Sequence, residues 1–388
     1  MKLQQQRKLI FYIYIALWAL GKLQGFFIGN GSLSLLLYIP FTIMTLFFVY
    51  KVIVNMYKTS TMRLLSIFFV LLFLYGFDLL LFNRSGQDPT SFLMAIIASL
   101  GPVFSFYYFT KQDVLTPKRL CWLFFLFLFI AVLEFYSYEA KMLLLTGDGF
   151  EDITNNSAYA ILGLFPLLFL LSHRPILQYI SLAVVCFYVI SCLKRGAILI
   201  LIILLIWFLV STFKSTGFKK KLLVITLTTV LAFVGVSFIE RFYTESEYFQ
   251  YRVEMTKEGS SSSRDQIYST LWTHFKTNDS LFEILVGEGV YATERVTNGL
   301  KAHNDWLELL IDCGVFGVIV YLMYFAAFFR DWRKSRSNST LYAILGTCLF
   351  FTFIRTFFSM SFTDNPFYLS LMMGYGLASI YKPQLTNS

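Results

Sequence analysis

Charge is what this sequence has least of. Asp, Glu, Lys and Arg make up 14% of its 388 residues while 57% are hydrophobic, and mean hydropathy is +0.65. Soluble domains carry about a quarter charged residues, so this balance excludes one and leaves a polytopic membrane protein. Cysteine is also sparse. Cys121, Cys186, Cys192, Cys313 and Cys348 all lie in or at the ends of apolar runs, with no Cys-x-x-Cys pair and no histidine at ligand spacing. Disulfides and a structural zinc site are thereby disfavoured. A Gly-rich phosphate motif following a strand is missing too, which removes a nucleotide-binding domain. The net charge of +9 comes from short basic clusters between apolar runs, not from one face or tail, so nucleic acid is not the implied partner. With no internal repeat and no low-complexity linker beyond Gly259 to Ser263, one membrane domain over residues 1–388 is the economical reading.

The apolar runs are all-helical spans. Each needs roughly 20 residues, which gives about twelve: near 9–28, 33–55, 63–82, 91–110, 119–137, 157–172, 176–193, 196–213, 222–240, 306–329, 340–360 and 365–381. The charged start with Lys2, Arg7 and Lys8 resembles a signal peptide, but no small-residue cleavage pattern follows, so the first run reads as a retained span. Lys and Arg crowd alternate connections, as in Lys219 to Lys221 and Arg330 to Arg336, whereas the opposite short loops hold Arg84, Lys141, Lys194 and Arg195. The positive-inside rule then puts both termini in the cytoplasm and one large loop, 241–305, outside.

That loop holds most of the polar chemistry. Ser263 and Gln266 have capping-box spacing ahead of the stripe Ile267, Leu271, Phe275, which predicts a short helix on the outer membrane surface with Trp272 among the headgroups. Arg264 lies in its first turn, where it either faces the headgroup layer or is simply solvated. Gly287 and Gly289 mark a turn where backbone approaches something closely. Asp305 and Glu308 again have capping-box spacing, so the tenth span is expected to start near Asp305 with Trp306 as its interface anchor. His303 precedes that helix start, whose positive end disfavours the imidazolium and leaves the ring able to accept a proton. A lone interfacial histidine is more often a satisfied polar residue than a catalyst. His274, on the polar face of the loop helix, and His173, in a cytoplasmic turn, are read as such.

Arg355 shifts that balance, because an ionisable group inside an apolar run faces a partner or a wet cavity. Asp78 and Asp312 are the carboxylates that a purely structural ion pair would use. Arg195 stands on the outer side, against the charge trend. Arginines held at that depth suit a phosphate-rich anion, gripped by paired donors. Glu151 and Asp152 are weighed as a metal-binding acidic pair and ranked below a solvated loop.

Together these residues look familiar. Ser191-Cys192-Leu193-Lys194-Arg195-Gly196, then Arg264-Asp265 opening a helix with Trp272, then Gly287-Glu288-Gly289, then His303-Asn304-Asp305-Trp306-Leu307 and Gly314-Val315-Phe316-Gly317 resemble the signature of the O-antigen ligase and polymerase family. Lys194 stands where that family more usually has Ser. The resemblance implies a glycosyltransferase of the bacterial inner membrane with its active site on the periplasmic face. The donor would be a glycan on undecaprenyl pyrophosphate. Transfer to an acceptor hydroxyl would be inverting and would need no metal and no cofactor. Arg195, Arg264 and, by its place in a late span, Arg355 would bind the pyrophosphate; His303 would act as base near the acceptor. Asn304, Asp305, Gly287 and Gly289 would support them. The acceptor is either another lipid-linked repeat unit, for a polymerase, or lipid A-core, for a ligase. The polymerase is favoured because polymerases are diverse in sequence and this chain is divergent and Phe-rich. The lipid bilayer and a chain-length regulator complete the expected partners. The rival from another class, a transporter or flippase of lipid-linked glycans, would want repeated halves with broken helices near the midplane, a pattern not found here.

Overall fold

Apolar runs in lipid must satisfy every backbone N–H and C=O internally, which leaves the helix as the form for a chain without a barrel pattern. The computed structural model describes residues 2–27, 31–55, 59–82, 88–146, 155–215, 218–245 and 264–380, with Gln250 and Glu254. All regular elements among them are helical. They begin with α1 (Lys2–Phe27), α2 (Gly31–Asn55), α3 (Ser60–Phe82), α4 (Pro89–Lys111), α5 (Pro117–Thr146), α6 (Ser157–Leu162), α7 (Pro175–Ser191), α8 (Arg195–Ser215) and α9 (Phe218–Glu245). Then come α10 (Arg264–Thr277), α11 (Leu281–Val286), α12 (Ala292–Val296), α13 (Asp305–Asp312), α14 (Gly314–Lys334), α15 (Ser339–Arg355) and α16 (Phe367–Ser379).

Seven helices among the described residues are long and apolar enough to cross a membrane, against the twelve expected: Leu3–Phe26, Leu36–Val54, Ser60–Leu81, Thr90–Lys111, Pro117–Ala140, Arg195–Lys214 and Gly314–Ser337. The sixth expected run breaks at Gly163 into α6 and a tight 3-10 stretch, Phe165–Leu171, with Pro166 in its first turn; proline has no N–H to continue an α-helix. The tenth also differs. It is interrupted at Cys313, leaving α13 and α14 as separate helices.

The chain divides into two compact units. One comprises residues 1–18, 35–115 and 261–388; the other comprises 19–34 and 116–260. In the first, α4 packs closely on α16, where a Cβ at Gly374 would sit 2.6 Å from the Val103 carbonyl oxygen and 2.7 Å from the Tyr107 nitrogen. Aromatic rings fill the space around them: Trp18 stacks on Phe367 at 4.2 Å, and Tyr14 packs on Phe41 and Phe106. The buried Asp331, near the end of α14, accepts from the N–H and the hydroxyl of Thr61, both at 2.8 Å, and so ties that end to the start of α3. In the second unit Lys22 pairs with Glu134 at 3.0 Å, Asn155 bonds the carbonyl of Phe135, and Phe208 packs among Phe165, Phe169 and Tyr179.

Candidate functional site

The loop residues fold into a small body with a core of its own. The α10 stripe Ile267, Leu271, Phe275 does not face the membrane surface; it turns inward onto Ala292, Ala302 and Ile311, with Val296 and Leu307 beside them. The spacing was legible, but the partner for the stripe comes from α12 and α13. What α10 leaves outward is Trp272, stacked on Phe275 with Lys276 Nζ 5.2 Å from its ring centre. Arg264, half-buried, is the first residue of α10. Ser263, its expected cap, lies outside the described residues, as do Glu151 and Asp152.

The Gly287-Glu288-Gly289 turn closes the end of α13. Glu288 N–H donates to the Ile311 carbonyl and Gly289 N–H to that of Asp312, each at 3.0 Å, which satisfies acceptors that a helix C-terminus leaves open. Both glycines have left-handed φ, +87° and +90°. A Cβ on Gly287 would also lie 2.5 Å from the Gly314 nitrogen, so backbone meets backbone here and only glycine fits. Tyr75 donates its hydroxyl to the Val286 carbonyl. The Asp312 carboxylate accepts from Tyr291 N–H at 3.2 Å, Thr293 N–H at 2.9 Å and the Thr293 hydroxyl at 3.0 Å, and so starts α12.

His303 sits before α13 in the left-handed region at φ +50° with its side chain exposed. A non-glycine residue held there is strained, and such strain gathers at functional positions. The next residue corrects the expected cap: Asn304, not Asp305, is the N-cap, its oxygen accepting from Trp306 N–H at 3.0 Å and Leu307 N–H at 3.3 Å. Asp305 instead turns into the protein. Its N–H donates to the Thr356 carbonyl at 2.9 Å, and its buried carboxylate accepts from Tyr321 Oη and Ser361 N–H, both at 2.8 Å. Burial pushes this acid up to about 7 against the pull of Tyr321, the Ser361 N–H and the nearby Arg355 guanidinium. Glu308 is pushed well up by burial and then by Asp312 and Asp305. Asp312 is raised by burial as well, although Thr293 and Tyr291 favour its ionised form.

Arg355 ends α15 fully buried, and its partner is neither Asp78 nor Asp312. Nη2 donates to Asp364 Oδ2 at 2.6 Å and Nη1 to the Asp364 carbonyl, while the Asp364 side chain is 78% exposed. The polar break Ser361-Phe362-Thr363-Asp364-Asn365 between two apolar runs is the signal that would have pointed to Asp364. His274 is the satisfied polar residue it reads as: its Nε2 lies 2.6 Å from Glu288 Oε1, which additionally accepts from Asn278 Nδ2 at 3.3 Å. Among the described residues no group of three or more His, Cys, Asp or Glu side chains is arranged to hold a metal ion.

Arg264, Gly287, Gly289, His303, Asn304, Asp305 and Arg355 thus belong to one unit. Arg195, half-buried at the start of α8, belongs to the other. It follows a left-handed Leu193 and a Lys194 that bonds Asn156 and lies over the Tyr159 ring at 4.8 Å.

No curated protein matches the chain. Residues 179–322, rather more than a third of it, match the family model described as O-antigen ligase. That interval takes in Arg195, Arg264, the glycine turn and His303 to Asp305, and stops short of Arg355. The match supports placing the chain in an O-antigen ligase/polymerase-like family.

Proposed function

We propose that this multi-pass membrane protein is a polysaccharide polymerase of the bacterial inner membrane. It takes a glycan from undecaprenyl pyrophosphate at the periplasmic face and transfers it to the non-reducing-end hydroxyl of another lipid-linked repeat unit. The observation that supports this reading is that α10, which Arg264 opens, packs on α12 and α13 in one small core, with the strained His303 just before α13, inside the segment matched by a glycosyltransferase-like family.

In the proposed step the acceptor oxygen attacks the sugar's C1 from the face opposite the leaving group, so the product is inverted. The C1–O bond breaks and its electron pair goes to the pyrophosphate oxygen, while the acceptor proton passes to the His303 imidazole. Arg264 stabilises the growing phosphate charge; elsewhere removal of one such donor costs roughly 3 to 4 kcal/mol. Arg355 joins it as the anion takes the place of the exposed Asp364 carboxylate. No metal takes part in this scheme. Asn304 and Asp305 fix the backbone that presents His303, and Gly287 and Gly289 let the turn seat on α13.

The match to an O-antigen ligase family favours a second reading, ligation of the glycan to lipid A-core. Purified protein incubated with a defined undecaprenyl-pyrophosphate glycan separates the two. Lengthening of lipid-linked product is expected for the polymerase, whereas transfer only when lipid A-core is added identifies the ligase. His303→Ala is expected to lower turnover by about 10²- to 10⁴-fold with normal membrane insertion; retained activity removes His303 as the base.

A further inference from the structure

We propose that α11, not α10, is the part of the loop body embedded in the bilayer, with its apolar face among the acyl chains of the leaflet beside the start of α14. With α10's stripe enclosed, the loop's large apolar exposure moves to α11, where Leu281, Phe282 and Leu285 are 69%, 70% and 46% exposed. At 100° per residue Ile284, Leu281, Leu285, Phe282 and Val286 share one broad arc. Glu283 falls on the remaining side, where it accepts from Asn278 Nδ2 at 3.0 Å. A short helix with one apolar face and one acidic edge lies in an interface plane instead of crossing it.

Its depth is fixed by what it touches. The Gly287 turn that ends α11 is packed against Asp312 and Gly314, and Gly314 is the first residue of the span Gly314–Ser337. A Cβ on Gly314 would meet the Leu285 carbonyl at 2.5 Å. Phe316 and Ile319, one turn into that span, are themselves exposed. The face of α11 therefore continues the lipid-facing side of α14, and the same acyl chains cover both. A contiguous exposed apolar patch of this kind on a folded protein marks a contact, and its continuity with a membrane span selects lipid as the occupant.

The test uses the full chain in phosphatidylcholine and phosphatidylglycerol nanodiscs. Cys121→Ser removes the half-buried thiol, the other four cysteines being buried. A spin label is placed at Phe282→Cys or, about 100° round the helix on its acidic edge, at Glu283→Cys. Leu281→Cys is the second position should the first variant unfold. Collisions with oxygen, which partitions into lipid, are expected to exceed those with a water-soluble nickel chelate several-fold at 281 or 282, and the order is expected to reverse at 283. Nickel dominance at every position would overturn the proposal by placing the face in water. Dipolar broadening between labels would overturn it in favour of a second copy of the chain. Immobility with access to neither reagent would assign the face to protein. None of these readings depends on glycan transfer, so the outcome is separate from that of the enzymatic proposal.

Discussion

Acidification is expected to stabilise this protein, and Asp305→Asn to remove a defined share of that gain. Asp305 is fully buried, and burial raises it from 3.8 to about 7. The ionised form is therefore weakened in the folded protein by about 4 kcal/mol relative to the unfolded chain. Because the folded value lies above the unfolded one, the folded chain keeps a proton that the unfolded chain releases between pH 3.8 and about 7. Stability falls as pH rises through that window and is level above it. Between pH 8 and pH 5 the difference for this group is about 3 kcal/mol. Glu308 and Asp312 are raised too and add to the wild-type slope, so the comparison with Asp305→Asn isolates one carboxyl. An asparagine there keeps an oxygen for the Ser361 N–H and offers its amide to the Tyr321 oxygen, so that packing and hydrogen bonds survive. Thermal unfolding in nanodiscs at pH 5 to 8 measures the effect. Wild type is expected to gain about 3 kcal/mol on the variant as pH falls, a few degrees in Tm. Parallel curves would refute the buried-acid argument.

Gly287→Ala is expected to cost at least about 1 to 3 kcal/mol for its left-handed φ, and more for the collision of its Cβ with Asp312 and Gly314; unchanged thermal unfolding would contradict the close approach. Arg264→Ala is expected to lower turnover with the pyrophosphate donor by roughly 10²- to 10³-fold, and Arg264→Lys to restore little, since lysine lacks the paired donors. Steady-state kinetics at varied donor concentration decide it, and full turnover in either variant removes Arg264 from the site. Chelation with EDTA is expected to leave activity intact; loss that a divalent ion restores would redirect attention to Glu151 and Asp152.

The membrane class, the helical form and the polar stretch from Arg264 to Asp305 were determined by the sequence alone, because they follow from composition and from periodicities that hold wherever the helix is placed. The turn at Gly287 and the helix start beside His303 were legible for the same local reason, although the cap fell one residue early. Only the tertiary structure decided what each face meets. The Ile267, Leu271, Phe275 stripe reads equally well as a lipid face or as a core, and it became a core because α12 and α13 fold back over it. Arg355 had carboxylates to choose from and took Asp364, which a chain turn brings to it. The interruption at Cys313 lies inside an apolar run that hydropathy sees as one span. It exists because the glycine turn bonds the last carbonyls of α13, a partnership between residues distant in sequence that no local pattern encodes.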